Sequence, residues 1–140
     1  MKKIICFFTC VVFTLSMVSC FGGDVKNVEI IKRPSDIYSQ EDIDSAIDVI
    51  VDEFDKDWDG CKLNKIGYAG DDAIDENKDY LKGKLDGKDA DEVIVLTSDF
   101  YVDSTGGDGS LNQDFTYKHW KWILVREKGG EWTHVDHTAM

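Results

Sequence analysis

Ile43, Ala46, Ile47, Ile50, Phe54 and Trp58 recur at the i, i+3, i+4, i+7 spacing that paints one face of a helix. The spacing predicts an amphipathic helix of about five turns. Ser39 stands where an N-cap belongs, Asp42 three places later can answer it, and Gly60 occupies the position at which helices commonly stop. The opposite side carries Asp44, Asp48, Asp52, Asp55 and Asp59, relieved only by Lys56, four places after Asp52.

After Gly60 the period changes to two. Cys61 and Leu63 fall on one face of a predicted strand and Ile66 and Tyr68 on the other, a change of parity that points to a bulge or sharp bend. Asp71 to Lys84 is polar with apolar points at Ile74, Tyr80 and Leu81, the pattern of a short helix lying over something else. Val93 to Val102 reads as a long strand with Ile94, Leu96, Phe100 and Val102 on one face. Asp103 to Asp114 is a Gly-Asp-Ser loop. Phe115 to Arg126 and Trp132 to His137 form a hairpin turned by Glu127-Lys128-Gly129-Gly130. Ahead of the helix, Phe21 to Tyr38 is polar and contains Gly22-Gly23 and Pro34, as a tether would, although Val28-Glu29-Ile30-Ile31 has the makings of a small strand. The expected class is α+β, in the order α-β-α-β-β-β: a long N-terminal helix packed on a curved, mainly antiparallel sheet.

Composition adds a location. The chain has 140 residues, 42% of them hydrophobic, and one proline, which suits one ordinary domain. Lys2 and Lys3 precede an almost unbroken apolar run from Ile4 to Val18, shorter than the roughly 20 residues of a membrane span, and this is the pattern of an export signal. Met17-Val18-Ser19-Cys20 resembles the lipobox of bacterial lipoproteins. That resemblance implies cleavage before Cys20, a lipid such as palmitate on Cys20, and attachment to the cell membrane at its extracytoplasmic face. An ordinary secretory signal cut near the same place is the alternative. The expected divisions are a signal at 1–20, a tether at 21–38 and a domain at 39–140. Cys6 and Cys10 leave with the signal and Cys20 carries lipid, so Cys61 alone remains in the domain and no intrachain disulfide can form. Losing Lys2 and Lys3 reduces the 16 basic residues to 14 against 28 acidic ones, a formal charge of -14. Such a surface repels nucleic acid and anionic headgroups, which leaves the lipid as the membrane partner.

The order of a long helix and antiparallel strands resembles the cystatin-like cone of the nuclear-transport-factor type. Residues 93–132, "VIVLTSDFYVDSTGGDGSLNQDFTYKHWKWILVREKGGEW", together with the helix and "GCKLNKIGYAGDD", are similar to a domain of unknown function found in small bacterial lipoproteins. The likeness covers most of residues 39–137. Family members end in a glycine and a tyrosine after the last strand, whereas this chain has Thr138-Ala139-Met140. The resemblance implies a fold and carries no catalytic residue across.

Several groups could carry chemistry. Asp55-x-Asp57-x-Asp59-Gly60 matches the first half of a helix-loop-helix calcium loop, but Ile66 stands where the bidentate glutamate belongs and Lys62 where an apolar residue packs. These three aspartates are therefore expected to gather cations weakly, without a specific metal site. His134-x-x-His137 on a regular strand directs its rings to opposite faces, and His119 is expected to come near His137 across the turn. With no cysteine or glutamate in register, zinc is not expected, and no cofactor is implied. Trp120 and Trp122 share a strand face, with Tyr117 and Trp132 nearby, and either pack a core or line an apolar pocket. The loop residues Asp108 and Asn112 are candidate polar contacts. Asp99 interrupts an apolar strand. Were its face concave, it would be a buried general base beside Tyr68 or Tyr101, as in cone-type isomerases and dehydratases. The leading expectation is a lipid-anchored binding or accessory domain that takes a small ligand or an envelope protein; the alternative is an isomerase- or dehydratase-like enzyme using Asp99.

Overall fold

The computed structural model describes residues 22–81 and 90–139. The export signal, Cys20 and the end of the second predicted helix at Lys84 lie outside the described residues. Strand β1 (Glu29–Ile31) comes first, then α1 (Gln40–Asp57), β2 (Cys61–Tyr68) and α2 (Asp71–Glu76), which runs into a 3-10 turn at Lys78–Leu81. Strands β3 (Glu92–Val102), β4 (Phe115–Arg126) and β5 (Thr133–Thr138) follow. All five strands form one sheet in the order β1-β2-β3-β4-β5, antiparallel except that β1 runs parallel to β2.

The α+β class agrees with the hydrophobic pattern, but the long helix is not N-terminal. Residues expected to form a free tether are built into the sheet edge: Glu29, Ile30 and Ile31 align with Lys65, Ile66 and Gly67, and Asp24 bridges to Lys62. Parallel neighbours need a crossover connection, and α1 provides it.

Helix α1 begins at the predicted cap. Ser39 Oγ accepts the Asp42 N–H at 3.1 Å and the Asp42 carboxylate accepts the Ser39 N–H at 3.4 Å, a reciprocal arrangement worth about 1 kcal/mol. Ile43, Ala46, Ile47, Ile50 and Phe54 are all buried against the sheet, each large side chain contributing about 1.5–3 kcal/mol. The helix closes at Trp58, where the chain reverses through Gly60 at φ +74°. A Cβ on Gly60 would stand 2.5 Å from Thr105 Oγ1, so the missing side chain also lets the β3–β4 loop lie against the helix end.

Three bulges decide which side chains meet α1. In β2 the register shifts between Leu63 and Lys65, and this brings Cys61, Leu63, Ile66 and Tyr68 to one buried face. The predicted parity change is thus absorbed by a bulge instead of splitting the apolar residues between faces. In β4 the shift lies opposite Asp99, between the pairs Ser98–Trp120 and Phe100–Tyr117. His119 adopts φ +58° there and donates its N–H to Asp99 Oδ1 at 3.0 Å. In β5 Asp136 pairs with Ile123 but His134 pairs with Leu124, which leaves Val135 as the extra residue. The α1-facing side of the sheet therefore gathers Phe100, Tyr117, Trp120, Trp122, His134 and His137. On the opposite face Val93, Val95, Ile123 and Val125 are buried, with α2 and the 3-10 turn packed against β3.

Candidate functional site

One end of the molecule collects chemistry from one helix, three strands and a loop. The end of α1 and the turn that follows it deliver Asp57, Trp58 and Asp59. The bulged ends of β4 and β5 deliver Trp120 and His137, the start of β2 delivers Cys61, and the loop 103–114 delivers Gly107, Asp108, Ser110 and Leu111. Together these residues enclose a cleft of about 510 Å³, with Thr138 and Ala139 at its border. That volume lies within the range of small-molecule sites, and the wall mixes indole, carboxylate and hydroxyl groups as such sites do.

Hydrogen bonds hold the loop wall in place. Asp103 N–H donates to Gly60 O at 2.9 Å and Asp114 N–H to Asp103 O at 3.1 Å, tying both loop ends to the helix terminus. Asp103 Oδ1 accepts from the Thr105 N–H at 2.8 Å and hydroxyl at 2.5 Å, and Asp108 Oδ1 accepts from the Ser110 N–H at 2.9 Å and hydroxyl at 2.5 Å. Asn112 N–H donates to Tyr117 Oη at 3.0 Å, pinning the far side of the loop. The bonds from Thr105 and Ser110 hold the Asp103 and Asp108 carboxyls below the usual carboxylate range, so both are anions well into mild acid. On the helix side, Asp59 Oδ1 accepts the Gly22 N–H.

The floor and inner wall are aromatic. Trp58 lies with its ring centre 5.0 Å from Trp122, 6.1 Å from Trp120 and 5.3 Å from His137. Trp120 is buried and lines the cleft, and its indole Nε1 has no hydrogen-bond partner among the described residues. Cys61 is buried beneath. Burial first, and then the carboxylates of Asp103, Asp108 and Asp59, push its thiol up to about 11. A thiol so raised stays protonated near neutrality and is a poor nucleophile.

The histidines depart from expectation. The bulge at Val135 turns His134 and His137 to the same face, with ring centres 5.2 Å apart and His137 Nδ1 at 3.3 Å from His134 Nε2. A regular strand would have separated them. Glu53 of α1 holds His134 Nδ1 with both carboxylate oxygens, at 2.8 and 2.9 Å. Packing against the tryptophans strips water from His137, and with the neighbouring His134 this lowers its pKa below the ordinary histidine value, keeping the ring neutral near pH 7. His119 does not join them. It lines a separate cleft of about 300 Å³ with Arg33, Asp72, Glu76 and Lys121. Among the described residues no group of three or more His, Cys, Asp or Glu is arranged to hold a metal ion.

Of the residues singled out by sequence, Asp57, Asp59, Asp108 and Trp120 converge on the cleft at the end of α1. Asp55 turns away to a shallow face with Val25, Asp48 and Asp52. Trp122 lies beneath the cleft, fully buried, its indole N–H donating to Ser98 Oγ at 2.7 Å. Asn112 serves the loop itself and does not line the cleft. Asp99 and Tyr68 are not brought together. Tyr68 is buried on the α1 side and donates its hydroxyl to Asp71 Oδ1 at 2.5 Å, while Asp99 sits in the bulge, accepting the His119 N–H. Tyr101 is exposed and donates to Asp114 Oδ1 at 2.9 Å. Asp99 is not among the residues that line either the cleft at the end of α1 or the cleft around His119. Trp58, Cys61 and His137 were not expected in a ligand site; the available signals were the position of Trp58 at the very end of the apolar stripe and the proximity of Cys61 to the acidic helix terminus.

No family model, curated protein or solved structure matches the chain.

Proposed function

We propose that this chain is a lipid-anchored, extracytoplasmic binding or accessory domain, and that the cleft between the end of α1, the loop 103–114 and the end of β5 is where it takes its ligand. The convergence of Asp57, Asp59, Asp108, Trp58 and Trp120 on one cleft carries this reading. Binding is favoured over catalysis because the one thiol in the cleft is held protonated and Asp99 lies elsewhere. A cone-like fold is part of the proposal, supported by the long helix laid across a bulged antiparallel meander; β1, parallel to β2, is an addition to such a cone.

The anchor rests on the lipobox-like "MVSC" at 17–20. Among the described residues no helix is long and apolar enough to cross a membrane. Gly23 N–H donates to Phe54 O at 2.9 Å and Asp24 N–H to Cys61 O at 2.8 Å, which fixes residues 22–24 beside the cleft. A lipid on Cys20, two positions before Gly22, would hold this end of the domain close to the bilayer. Metabolic labelling of a bacterial host with an alkyne fatty acid is expected to mark the wild-type chain and not Cys20→Ser; equal labelling of both would remove the anchor from the proposal.

Occupying the cleft should abolish binding without unfolding the protein. Ser110 is exposed at the rim, so Ser110→Trp is expected to fill the cleft at a stability cost within about 0.5 kcal/mol. In a thermal-shift screen of small ligands against the full chain, compounds that raise the melting temperature of wild type are expected to lose that effect on Ser110→Trp. Ligands that stabilise both chains equally would place the binding site elsewhere.

A further inference from the structure

The cleft differs from two other concave surfaces among the described residues in the sign and diffuseness of what it offers. The cleft around His119 mixes Arg33 and Lys121 with Asp72 and Glu76, so its charges offset one another. The shallow face around Val25 is acidic, with Asp48, Asp52 and Asp55, but has no aromatic wall. Of these three, the cleft at the end of α1 alone joins carboxylates to indoles: Asp57, Asp59 and Asp108 border it, Trp58 and Trp120 line it, and no lysine or arginine is among its lining residues.

That pairing selects a kind of cation. A hard metal ion needs several oxygens converging on one point at about 2–2.5 Å, and these carboxylates do not form such a group. An organic cation spreads its charge over methyl or methylene groups. It can therefore take attraction from an indole face at one contact and from a carboxylate a few ångströms away at another. Two of the carboxylates are also held in place. Ser110 donates to Asp108 Oδ1 and Gly22 to Asp59 Oδ1, which fixes both carboxylates at the border of the cleft. His137 adds a third ring to the wall, neutral near pH 7, so it does not repel a cation. His134, Glu53 and Asp136 are the other titratable groups around that ring.

We propose that the cleft binds an organic ammonium ion, seated against Trp58 and Trp120 with Asp57, Asp59 and Asp108 supplying the counter-charge. The proposal rests on reading the cleft as the ligand site. Its ligand is a free amine or quaternary ammonium compound, or the ammonium headgroup of a membrane lipid. The second source fits a domain whose residues 22–24 are fixed beside the cleft.

The test uses the full chain in neutral maltoside micelles and follows indole fluorescence and melting temperature. Choline is the cationic probe, and 3,3-dimethylbutan-1-ol, its uncharged carbon isostere, is the control. Choline is expected to bind at least about ten-fold more tightly than the isostere, as cation–π attraction and nearby carboxylates together require. The triple variant Asp57→Asn, Asp59→Asn, Asp108→Asn keeps the amide oxygens that accept from Gly22 and Ser110. It is expected to stay folded, with a cooperative melting transition, and to erase the preference for choline. If choline bound no more tightly than its isostere while Ser110→Trp blocked both, the cation inference would fall and the cleft would stand as the ligand site. If choline bound and Ser110→Trp made no difference, both would fall. No response to either probe would overturn the ammonium assignment, and the screen against Ser110→Trp would still decide the cleft. Repeating the titration in phosphocholine-headed micelles separates the sources. Competition by the micelle surface assigns the lipid headgroup, and an unchanged affinity for choline assigns the free compound.

Discussion

Replacing Trp122 by alanine is expected to destabilise the protein by about 3–5 kcal/mol, a large share of the roughly 5–15 kcal/mol that holds a domain of this size together. Trp122 has no exposed surface and its ring touches Phe54, Trp58, His134 and His137, with centres 5.0 to 6.5 Å away. Truncation would open a void between α1 and the sheet and orphan the Ser98 hydroxyl, which now accepts the indole N–H at 2.7 Å. Urea unfolding should show a lower midpoint, and the melting temperature should fall by about 10–20 °C. A pair of milder substitutions separates packing from hydrogen bonding. Trp122→Phe should cost about 1–2 kcal/mol more than Trp120→Phe, because only Trp122 has a partner for its N–H. Equal costs for the two would mean that the Ser98 bond contributes nothing.

The same residue shows how far the hydrophobic pattern can be read. Helix α1, from its Ser39 cap to its end near Gly60, was legible because cap chemistry and a 3.6-residue period both act within one segment. The boundaries of β3, β4 and β5 were legible to within a residue because runs of branched and aromatic residues bounded by turn residues are also local signals. Bulges are different. In β2 the flip between Leu63 and Ile66 was visible as a change of parity, since both sets are apolar and must go inside. The same flip lies between Tyr117 and Trp120 in β4, where the large aromatic residues suit either face. In β5 the flip involves His134 and His137, which carry no burial preference strong enough to reveal it. The position of β1 was also hard to read. It has three residues, all exposed, and its pairing with β2 depends on close approach at Gly67 instead of on a buried apolar face.

The cleft was legible in parts and not as a whole. Asp57 and Asp59 stood out as an acidic helix end, Trp120 as an aromatic strand residue and Asp108 as a loop acid, each judged with its neighbours in sequence. What joins them is the reversal at Gly60, which turns the chain back into β2, and the fit of the loop 103–114 into the space that a side chain on Gly60 would fill. Such contacts span more than 40 positions of the chain, and no local period records them. The failed calcium motif is instructive here. Asp57 and Asp59 border the cleft while Asp55 turns away from it, and the rest of the cleft wall comes from a distant loop and from two indoles, not from the next six residues.

Acid should expose a second dependence, at the other end of α1. Arg126 is buried, with Nη1 3.1 Å from Asp42 Oδ1, Nε 2.9 Å from Glu92 Oε1 and the guanidinium carbon 4.1 Å from the centre of the Trp132 ring. Asp42 also caps α1 through Ser39, and its carbonyl accepts the Trp132 indole N–H at 3.0 Å. Removing its carboxylate thus strikes the cap and the buried cation together. Asp42→Ala is expected to cost about 3 kcal/mol, the low end for breaking a buried pair because Glu92 remains. Arg126→Met should cost less, since it removes the buried charge and leaves Asp42 and Glu92 partly exposed to water. The hydrogen bond from Arg126 lowers the pKa of Asp42 below its ordinary value of 3.8. The unfolded chain therefore binds this proton first, and the contribution of Asp42 is complete above about pH 5 and lost as pH falls through the folded value. Asp71, Asp103 and Asp108, also lowered, add to the acid limb in every variant. The diagnostic quantity is the difference between wild type and Arg126→Met in urea midpoints measured from pH 7 down to about pH 3. The two curves should converge as the pH falls, and parallel curves would show that the Asp42–Arg126 pair adds nothing to stability.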